Sequence, residues 1–171
     1  MSSSEARYRV EPFHDHHHRE GFNCGIVELD RYFYTQANQE RRRSVSMPYV
    51  MVDAESGEVI GYYTLSSLSI LPQNLAAEEA RQLPRYPAYP AILIGRLAIH
   101  RDHQGKGHGG DLLMNALRQC YQLSRQIGVL AVVVDAKDDS ARAFYEAFEF
   151  RRFRDEPYRL YIPVKEVARL Y

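Results

Sequence analysis

The alternation of apolar and polar blocks in the second half of the chain predicts a strand, a glycine-rich loop and a helix. Residues 91–99 (AILIGRLAI) are almost wholly apolar and predict a strand, and the polar turn 100–110 that follows carries four glycines. The next apolar positions are spaced by four and three residues, which predicts an amphipathic helix with a mostly apolar stripe of Leu113, Leu117, Cys120, Ser124 and Ile127. Because such a loop aims backbone N–H groups at an anion, the pattern indicates a phosphorylated ligand.

A second strand and a short helix follow along the chain. Residues 129–136 are rich in β-branched side chains and predict a buried strand. The segment 138–150 predicts a helix with three candidate caps at its start: Asp138, Asp139 and Ser140. Its apolar face carries Ala141, Phe144, Tyr145 and Phe148, so periodicity alone makes Tyr145 a core residue.

The N-terminal half predicts one helix and one hairpin. Leu29, Tyr32, Phe33 and Ala37 keep helical spacing, which predicts an amphipathic helix ending in the basic cluster Arg41–Arg43. Segments 49–53 and 59–65 flank a turn and predict a β-hairpin. The connector 71–90 predicts a helix near 75–83, and its Tyr86 and Tyr89 lie either in an ordered loop beside an acceptor cleft or in a plain surface connection.

Composition narrows the class of protein. The 171 residues suffice for one core, so we expect a single domain over residues 1–171, with apolar and charged fractions of 45% and 26% that are ordinary for a soluble protein. No stretch predicts a membrane span or a signal segment, which makes the cytoplasm the expected location. Cys24 and Cys120 are too far apart for a CxxC pair. We interpret His14 and His16–His18 as a solvated loop, and we expect no metal site.

The glycine loop has three interpretations. Gly105, Gly107 and Gly110 satisfy G-x-G-x-x-G, with Asp135 as a candidate ribose ligand, but a dinucleotide-binding fold places its glycines directly after the first strand and repeats its βαβ halves. The glycines also suit a plain tight turn. Gln104, Gly107 and Gly109 form Q-x-x-G-x-G, which resembles the acetyl-coenzyme A pyrophosphate loop of the GCN5-related N-acetyltransferases (GNAT).

That resemblance implies a fold, a cosubstrate and a set of binding residues. The fold is an α/β fold with a central, partly antiparallel mixed sheet flanked by helices. The cosubstrate is acetyl-CoA, and no metal is needed. In the family the strand before the loop pairs with the pantetheine arm and the loop main chain holds the pyrophosphate. The corresponding residues are Leu97, Ala98, Ile99, Gln104, Gly105, Lys106, Gly107, His108, Gly109 and Gly110.

The resemblance also assigns a role to Tyr145. The segment 141–150 is similar to the A-x-x-F-Y-x-x-x-G-F helix of these enzymes, whose tyrosine hydroxyl protonates the departing coenzyme A thiolate. One position departs from the pattern, because Glu149 replaces the usual glycine. A glycine there normally relieves a left-handed conformation at the helix end.

Three further segments resemble the acetyltransferase toxins of bacterial toxin–antitoxin pairs. They are F-N-C-G-x-x-x-L-D-x-Y with Q-A-x-Q-x-R-R-R in the first third, G-R-L-A at 95–98 and the tail 158–165. Those toxins acetylate the α-amine of an aminoacyl-tRNA, which blocks translation, and a neighbouring antitoxin with a ribbon-helix-helix part neutralises them. The resemblance therefore implies an aminoacyl-tRNA substrate, with Arg41, Arg42, Arg43 and Arg96 as candidate substrate-binding residues.

Charge and spacing leave alternatives open. The net charge is zero, whereas most nucleic-acid binders are basic, and Arg85 and Arg151–Arg154 fit solvated turns as well as phosphate contacts. No general base stands out beyond Asp135 or a strand-end carbonyl acting through water. The tail, with Pro163 at a helix start, either packs on the sheet or forms a homodimer contact. An acetyltransferase of small or protein amines and a catalytically idle binding module are the other hypotheses.

Overall fold

The computed structural model describes residues 7–170. It contains the strands β1 Tyr8–Pro12, β2 Met47–Asp53, β3 Val59–Ile70, β4 Tyr89–Ile99, β5 Ala131–Asp135, β6 Arg151–Arg152 and β7 Arg159–Pro163. Its α-helices are α1 Val27–Thr35, α2 Ala37–Arg42, α3 Ala77–Arg81, α4 His108–Ser124, α5 Asp139–Glu146 and α6 Val164–Val167. Short 3-10 turns occupy Pro72–Asn74, Arg101–His103 and Ala168–Leu170. The strand order is β1-β2-β3-β4-β5-β7-β6, which confirms the predicted mixed sheet.

The described chain divides into two compact units, a first unit of residues 7–66 with 95–116 and a second unit of residues 67–94 with 117–170. In the first unit β1 pairs with β2 and β2 pairs with β3, both antiparallel. The predicted hairpin is confirmed, although its strands run longer than predicted. The sequence did not predict β1, because YRVEP mixes charged and apolar residues. Its extended conformation depends on backbone hydrogen bonds with β2.

Aromatic rings of α1 and β3 build the core of the first unit. Phe33 and Tyr62 stack with ring centroids 4.6 Å apart, and Phe22 meets Phe33 edge to face at 5.1 Å. The Tyr62 hydroxyl donates to the Leu29 carbonyl at 2.6 Å, so the polar end of this buried ring is satisfied. The predicted apolar stripe of α1 and α2 packs against this core: Leu29, Tyr32, Phe33 and Ala37.

The N-terminal helical segment is interrupted, which the sequence did not predict. Gln36 separates α1 from α2 with φ −116° and ψ −32°, far from the regular helical φ. Ala37 nevertheless buries fully behind the break. The single predicted helix is therefore wrong, because periodicity reports which residues face the core but not whether the backbone stays regular between them.

In the second unit β4 and β5 pair in parallel from Ala91–Ala131 to Ile94–Val134. On its other edge β5 pairs antiparallel with β7, and β6 pairs with β7. Residues 131–134 are completely buried, which confirms the predicted strand. The sequence singled out neither β6, of two residues, nor β7 as a strand, since their conformation depends on pairing rather than on a local pattern.

Burial along α4 agrees with the predicted stripe except at its end. Leu113, Leu117 and Cys120 are fully buried, and burial raises the pKa of the Cys120 thiol to about 12, so this side chain acts as a small apolar residue. Ile127 is 63% exposed, so its predicted place in the stripe is wrong. The helix ends at Ser124, and the chain turns before Ile127 can face the core.

The connector and the tail are partly as predicted. α3 occupies the predicted position, and Tyr86 is exposed in the following loop. Tyr89 is instead buried as the first residue of β4, because the strand extends back past Pro90 and draws this ring inward. Pro163 precedes α6, where Val167 is fully buried, so the tail packs inward. None of the helices in residues 7–170 has the length and apolar character that crossing a bilayer requires.

Candidate active site

The segment between β4 and α4 is anchored at its base by His100. The His100 Nδ1 accepts the Asp102 backbone N–H at 3.1 Å, so its proton lies on Nε2, which donates to the Gly21 carbonyl at 3.0 Å. This buried ring ties the loop to the N-terminal segment. The sequence analysis did not single out His100; its only signal was a histidine directly after an apolar strand.

Gln104 fixes the other end of this bend. Its side-chain amide donates to the Ile99 carbonyl at 2.8 Å and to the Cys24 carbonyl at 2.9 Å, which uses both of its N–H groups. The glutamine side chain therefore holds the loop in shape. Its backbone N–H donates to the Arg101 carbonyl at 3.3 Å, so the free backbone donors of the loop begin at Gly105.

The loop itself exposes a series of free backbone donors. Gly105 and Gly107 have φ values of +77° and +86°, and a β-carbon added at either glycine would meet nothing within 4 Å. Within residues 7–170, the N–H groups of residues 105–110 donate to no protein acceptor, and the next amide, of Asp111, is the first to bond back, to the Gly107 carbonyl at 3.2 Å. The segment is thus an open cradle at the N-terminus of a 17-residue helix, which suits an anion such as a pyrophosphate.

His108 closes the loop and begins α4. Its ring is buried and meets the Tyr8 ring edge to face, with centroids 4.7 Å apart. Burial lowers the pKa of His108, and His103 and Lys106 add to the lowering while Asp111 opposes it. The lowered pKa favours a neutral imidazole at this position, whereas the neighbouring Lys106 is exposed.

In the second unit, Tyr145 lies in the last turn of α5. The Asp138 carboxylate caps that helix by accepting the Ala141 N–H at 2.8 Å, which confirms one of the three predicted caps. Tyr145 is 8% exposed and its ring packs on Phe150 at 5.6 Å between centroids. Burial, with a smaller contribution from Asp135, raises the pKa of Tyr145 to about 12. The hydroxyl therefore keeps its proton at neutral pH and is available as a proton donor.

Glu149 ends this helix in the conformation that glycine usually adopts. Its φ is +72°, and the Phe150 N–H donates across it to the Tyr145 carbonyl at 3.3 Å, the closing bond of a Schellman motif. The left-handed turn suggested by the sequence is thus present despite the side chain. It keeps Tyr145 and Phe150 in register at a cost in backbone strain.

The predicted substrate-binding arginines all lie in the first unit. Arg96 is half-buried in β4, and its guanidinium carbon lies 3.5 Å from the centroid of the buried Tyr32 ring. Arg41 and Arg42 approach Asp15 at 3.3 Å and 3.4 Å, and Arg43 is exposed. The sequence analysis missed the part played by Tyr32, because its position in a helical apolar stripe gave no sign of a cation above its ring.

The other arginines that the sequence offered as phosphate contacts lie in the second unit. Arg151 donates to Glu79 and Glu166 at 2.5 Å each, beside a cavity of about 390 Å³ in the second unit. Arg152 bonds Glu146 at 3.3 Å on the surface. Arg151 therefore binds two carboxylates within the protein, and it lies in strand β6, so it is neither a free phosphate contact nor part of the solvated turn that was the alternative. Arg85 is exposed in the loop before β4.

The histidine cluster is not the fully solvated loop that we predicted, because His17 is buried. Glu11, His16 and His17 each bring a ligand-type atom to within 4.8 Å of the others. However, the His17 Nδ1 accepts the His14 N–H at 2.9 Å, so its Nε2 carries the proton that faces Glu11 at 2.7 Å. Binding a metal through Nε2 would need the lone pair that this proton occupies, and the cluster is accordingly a hydrogen-bonded turn.

Comparisons with known proteins identify a family and several similar toxins. The sequence profile described as "Acetyltransferase (GNAT) family" matches residues 8–150. A "tRNA-acetylating toxin" of Mycobacterium tuberculosis is 34% identical over 149 residues, which cover 87% of each chain. A "Probable toxin TacT" of Sinorhizobium fredii is 28% identical over 177 residues, covering 99% of this chain and 98% of the relative.

Solved structures with a similar fold cover 95–96% of this chain. A crystal structure of a tyrosine-to-phenylalanine variant of KacT superposes with a TM-score of 0.90 at 26% identity, covering 96% of this chain and 99% of that one. AtaT complexed with acetyl-methionyl-tRNAfMet gives a TM-score of 0.88 at 25% identity, covering 95% and 98%. AtaTR bound with acetyl-CoA gives 0.82 at 25% identity, covering 96% and 98%. The chain therefore belongs to the GNAT acetyltransferase family, and it is an acetyltransferase.

Proposed function

We propose that this enzyme transfers the acetyl group of acetyl-CoA to the α-amine of an aminoacyl-tRNA and thereby acts as a toxin that blocks translation. The observation that carries the proposal is the open cradle of free amides over residues 105–110 at the start of α4. It is supported by the similarity to a tRNA-acetylating toxin and to AtaT with an acetylated aminoacyl-tRNA.

The loop residues hold the acetyl donor. The main chain from Gln104 to Gly110 binds the pyrophosphate, because the free N–H groups of residues 105–110 and the positive end of the α4 dipole favour two adjacent anionic groups. The main chain of Leu97, Ala98 and Ile99 pairs with the pantetheine arm and supplies an N–H to the carbonyl oxygen as negative charge develops there. This chemistry requires no metal.

An α-amine suits a site that lacks an evident base. A model α-amino group titrates near ~8 and a lysine amine near ~10.4, so the α-amine is far more often neutral and nucleophilic at pH 7. Tyr145 completes the transfer by giving its hydroxyl proton to the departing thiolate, which its raised pKa permits. Arg41, Arg42, Arg43 and Arg96 bind the phosphates of the acceptor.

The remaining assignments follow from this role. We infer that residues 1–171 work as one catalytic domain in the cytoplasm, where charged tRNA and acetyl-CoA occur. A ribbon-helix-helix antitoxin is the expected partner, and the similarity to AtaT, which has been solved bound to the C-terminus of the antitoxin AtaR, supports it. We also infer a homodimer, and measuring the molecular mass of the protein in solution tests it. A second candidate function, acetylation of small or protein amines, is favoured by the net charge of zero.

The test combines expression with direct analysis of tRNA. Wild-type protein expressed without an antitoxin is expected to arrest growth and to acetylate at least one charged tRNA, whereas Tyr145→Phe restores growth and lowers kcat about 100-fold or more. Tyr158→Phe is the matched control, because Tyr158 is an exposed tyrosine. Acetylation of free amines without any acetylated aminoacyl-tRNA would favour the second function instead.

A further inference from the structure

Arg96 is a half-buried cation for which the described part of the chain supplies no ion-pair partner. Among residues 7–170, no carboxylate lies within ion-pair distance of its guanidinium, whereas the comparably placed Arg151 and Arg159 have carboxylate oxygens at 2.5 Å and 2.7 Å. A partly desolvated guanidinium without an anion is unfavourable in the free protein. The missing anion is therefore expected from a ligand.

The guanidinium is held in place by stacking. Its carbon lies 3.5 Å from the Tyr32 ring centroid, which is close to the optimal contact distance of about 3.5–4.0 Å between carbon atoms. A planar guanidinium at that height covers the ring with one face, and its N–H groups point outward in the plane. The side chain is thus presented as a flat fork.

The Tyr32 ring below it is itself fixed. It is 3% exposed and stacks on Tyr62, with centroids 6.3 Å apart and the ring planes inclined by 19°. Its hydroxyl lies 3.4 Å from the Ser46 hydroxyl. Because the support is rigid, Arg96 loses little conformational freedom when it binds, which strengthens a single ionic contact.

The position of Arg96 relates it to the proposed reaction. Arg96 and Ala98 share one face of β4, and Arg96 precedes the loop by about 10 Å of extended strand at ~3.3 Å per residue. Ser46, which contacts Tyr32, follows the basic cluster Arg41–Arg43 in the chain. Arg96 therefore precedes the donor loop on β4, and the ring that supports it contacts the segment that follows the basic cluster.

We infer that Arg96, positioned by Tyr32, binds a backbone phosphate in the single-stranded 3′ end of the charged tRNA. The inference rests on the proposed function. In an aminoacyl ester the amino acid has no free carboxylate, so phosphates are the anions nearest to the reacting amine. The planar fork matches two phosphate oxygens at once. The alternative is that the fork binds the α-carboxylate of a free amino acid instead of a phosphate, and the experiment separates these two sources.

The experiment compares three acceptors with one set of variants. The acceptors are a charged tRNA that the wild type acetylates, the corresponding free amino acid and its amide, which carries no anion. For Arg96→Met we expect the KM for the charged tRNA to rise about 10- to 100-fold with kcat nearly unchanged, as for loss of a charge-assisted hydrogen bond. Rates with the amino acid and the amide should not change.

The salt dependence of tRNA binding gives a second measurement. It would not change if Arg96 had a purely structural role. Each phosphate contact to a single strand contributes about 0.7 to the slope of log affinity against log salt, so Arg96→Met should lower that slope by about 0.7. Arg96→Lys keeps the charge but loses the fork, and it should recover the slope without recovering the full KM. Arg81→Met, which removes an exposed arginine of α3, is the matched control and should behave as the wild type.

The role of Tyr32 as a positioning residue is tested alongside. Tyr32→Phe keeps the ring and should leave the KM within about threefold of the wild type, whereas Tyr32→Leu should raise it toward the Arg96→Met value. Melting temperatures identify any variant that fails to fold. An Arg96→Met enzyme with unchanged KM and salt slope for charged tRNA overturns the inference and leaves the proposed function standing.

Two other results are equally informative. A loss confined to the free amino acid assigns Arg96 to a carboxylate and also overturns the phosphate inference. If the wild type acetylates no charged tRNA while it acetylates the amide, the proposed function itself fails, and this inference fails with it.

Discussion

Gly61 of β3 lies directly against Ile99 of β4, so that a β-carbon at Gly61 would come within 2.7 Å of the Ile99 Cδ1 atom and 3.0 Å of the Ala98 carbonyl oxygen. The isoleucine tip can move, but the carbonyl belongs to the strand that leads into the loop. We expect Gly61→Ala to lower the free energy of unfolding by about 1–3 kcal/mol, as for an overpacked core. Urea denaturation measures it.

The matched control for this substitution is Gly128→Ala. Gly128 has an ordinary φ, and an added β-carbon would meet nothing within 4 Å. The control should be neutral or stabilising by up to about 1 kcal/mol. Equal effects of the two substitutions would contradict the packing argument.

Replacing Glu149 by glycine should stabilise the protein. The φ of +72° strains any residue with a β-carbon, and glycine removes that strain at the price of a more flexible unfolded chain. We expect Glu149→Gly to raise the free energy of unfolding by about 0.5–1 kcal/mol, while Glu149→Ala gains nothing. Chemical denaturation of the two variants decides this, and an equal gain from alanine would show that the charge, not the backbone, is responsible.

As the pH increases, kcat/KM should rise through one titration and then stay level up to pH 10. The α-amine of the acceptor loses its proton near ~8, so the rate climbs through that region. Because burial raises the pKa of Tyr145 to about 12, the proton donor is still intact at pH 10. An amide-linked aminoacyl-tRNA, which resists hydrolysis, allows the measurement up to that pH. A falling limb between pH 9 and 10 that disappears in Tyr145→Phe would contradict the protonated state argued above.

His108 should make the protein less stable in mild acid. Its pKa in the folded state is lowered from the ordinary value of 6.5, mainly by burial, so below about pH 6.5 the unfolded chain binds more protons than the folded one. Stability is therefore fully present above that pH and is lost as the pH falls below it. We expect the difference in melting temperature between pH 7.5 and 5.5 to be smaller in His108→Gln than in the wild type. His14→Gln, an exposed histidine, serves as the control and should keep the wild-type difference.

Arg151 is expected to affect stability and not tRNA binding. It joins Glu79 of α3 to Glu166 of α6, and Arg151→Met leaves both carboxylates without their shared cation. Because the arginine side chain is 38% exposed, solvent screens the pairs and the loss of unfolding free energy should be only about 1 kcal/mol. The KM for charged tRNA should stay unchanged. A tenfold rise in that KM would restore Arg151 to the phosphate contacts suggested by the sequence.

The local patterns that were predicted correctly share one property: each is decided within about twenty residues. The strand ending at Ile99, the buried stripe of α4 from Leu113 to Cys120 and the cap at Asp138 depend on short-range periodicity and on one side-chain bond. Even the left-handed turn at Glu149 was indicated by its position at a helix end. The sequence could therefore place the loop and Tyr145 on the correct elements.

The errors share the opposite property. Ile127 keeps the helical spacing but lies past the end of α4, Tyr89 is drawn into β4, and His17 is buried by its bonds to Glu11 and His14. The strands β1 and β7 carry weak patterns of their own and are formed by pairing with β2 and β5. Each outcome depends on a neighbour distant in sequence or on where an element stops.

By itself, then, the sequence determined the strands β4 and β5, the glycine-rich bend and the tyrosine at the end of α5, because the hydrophobic period and the turn residues act locally. Only the tertiary structure decided which polar groups are already satisfied. It ties the Gln104 side chain to two carbonyls, occupies Arg151 with carboxylates, and leaves Arg96 stacked on Tyr32 with no anion among the described residues 7–170. The physical reason is that hydrogen bonds and ion pairs join groups by distance in space, which one-dimensional spacing does not encode.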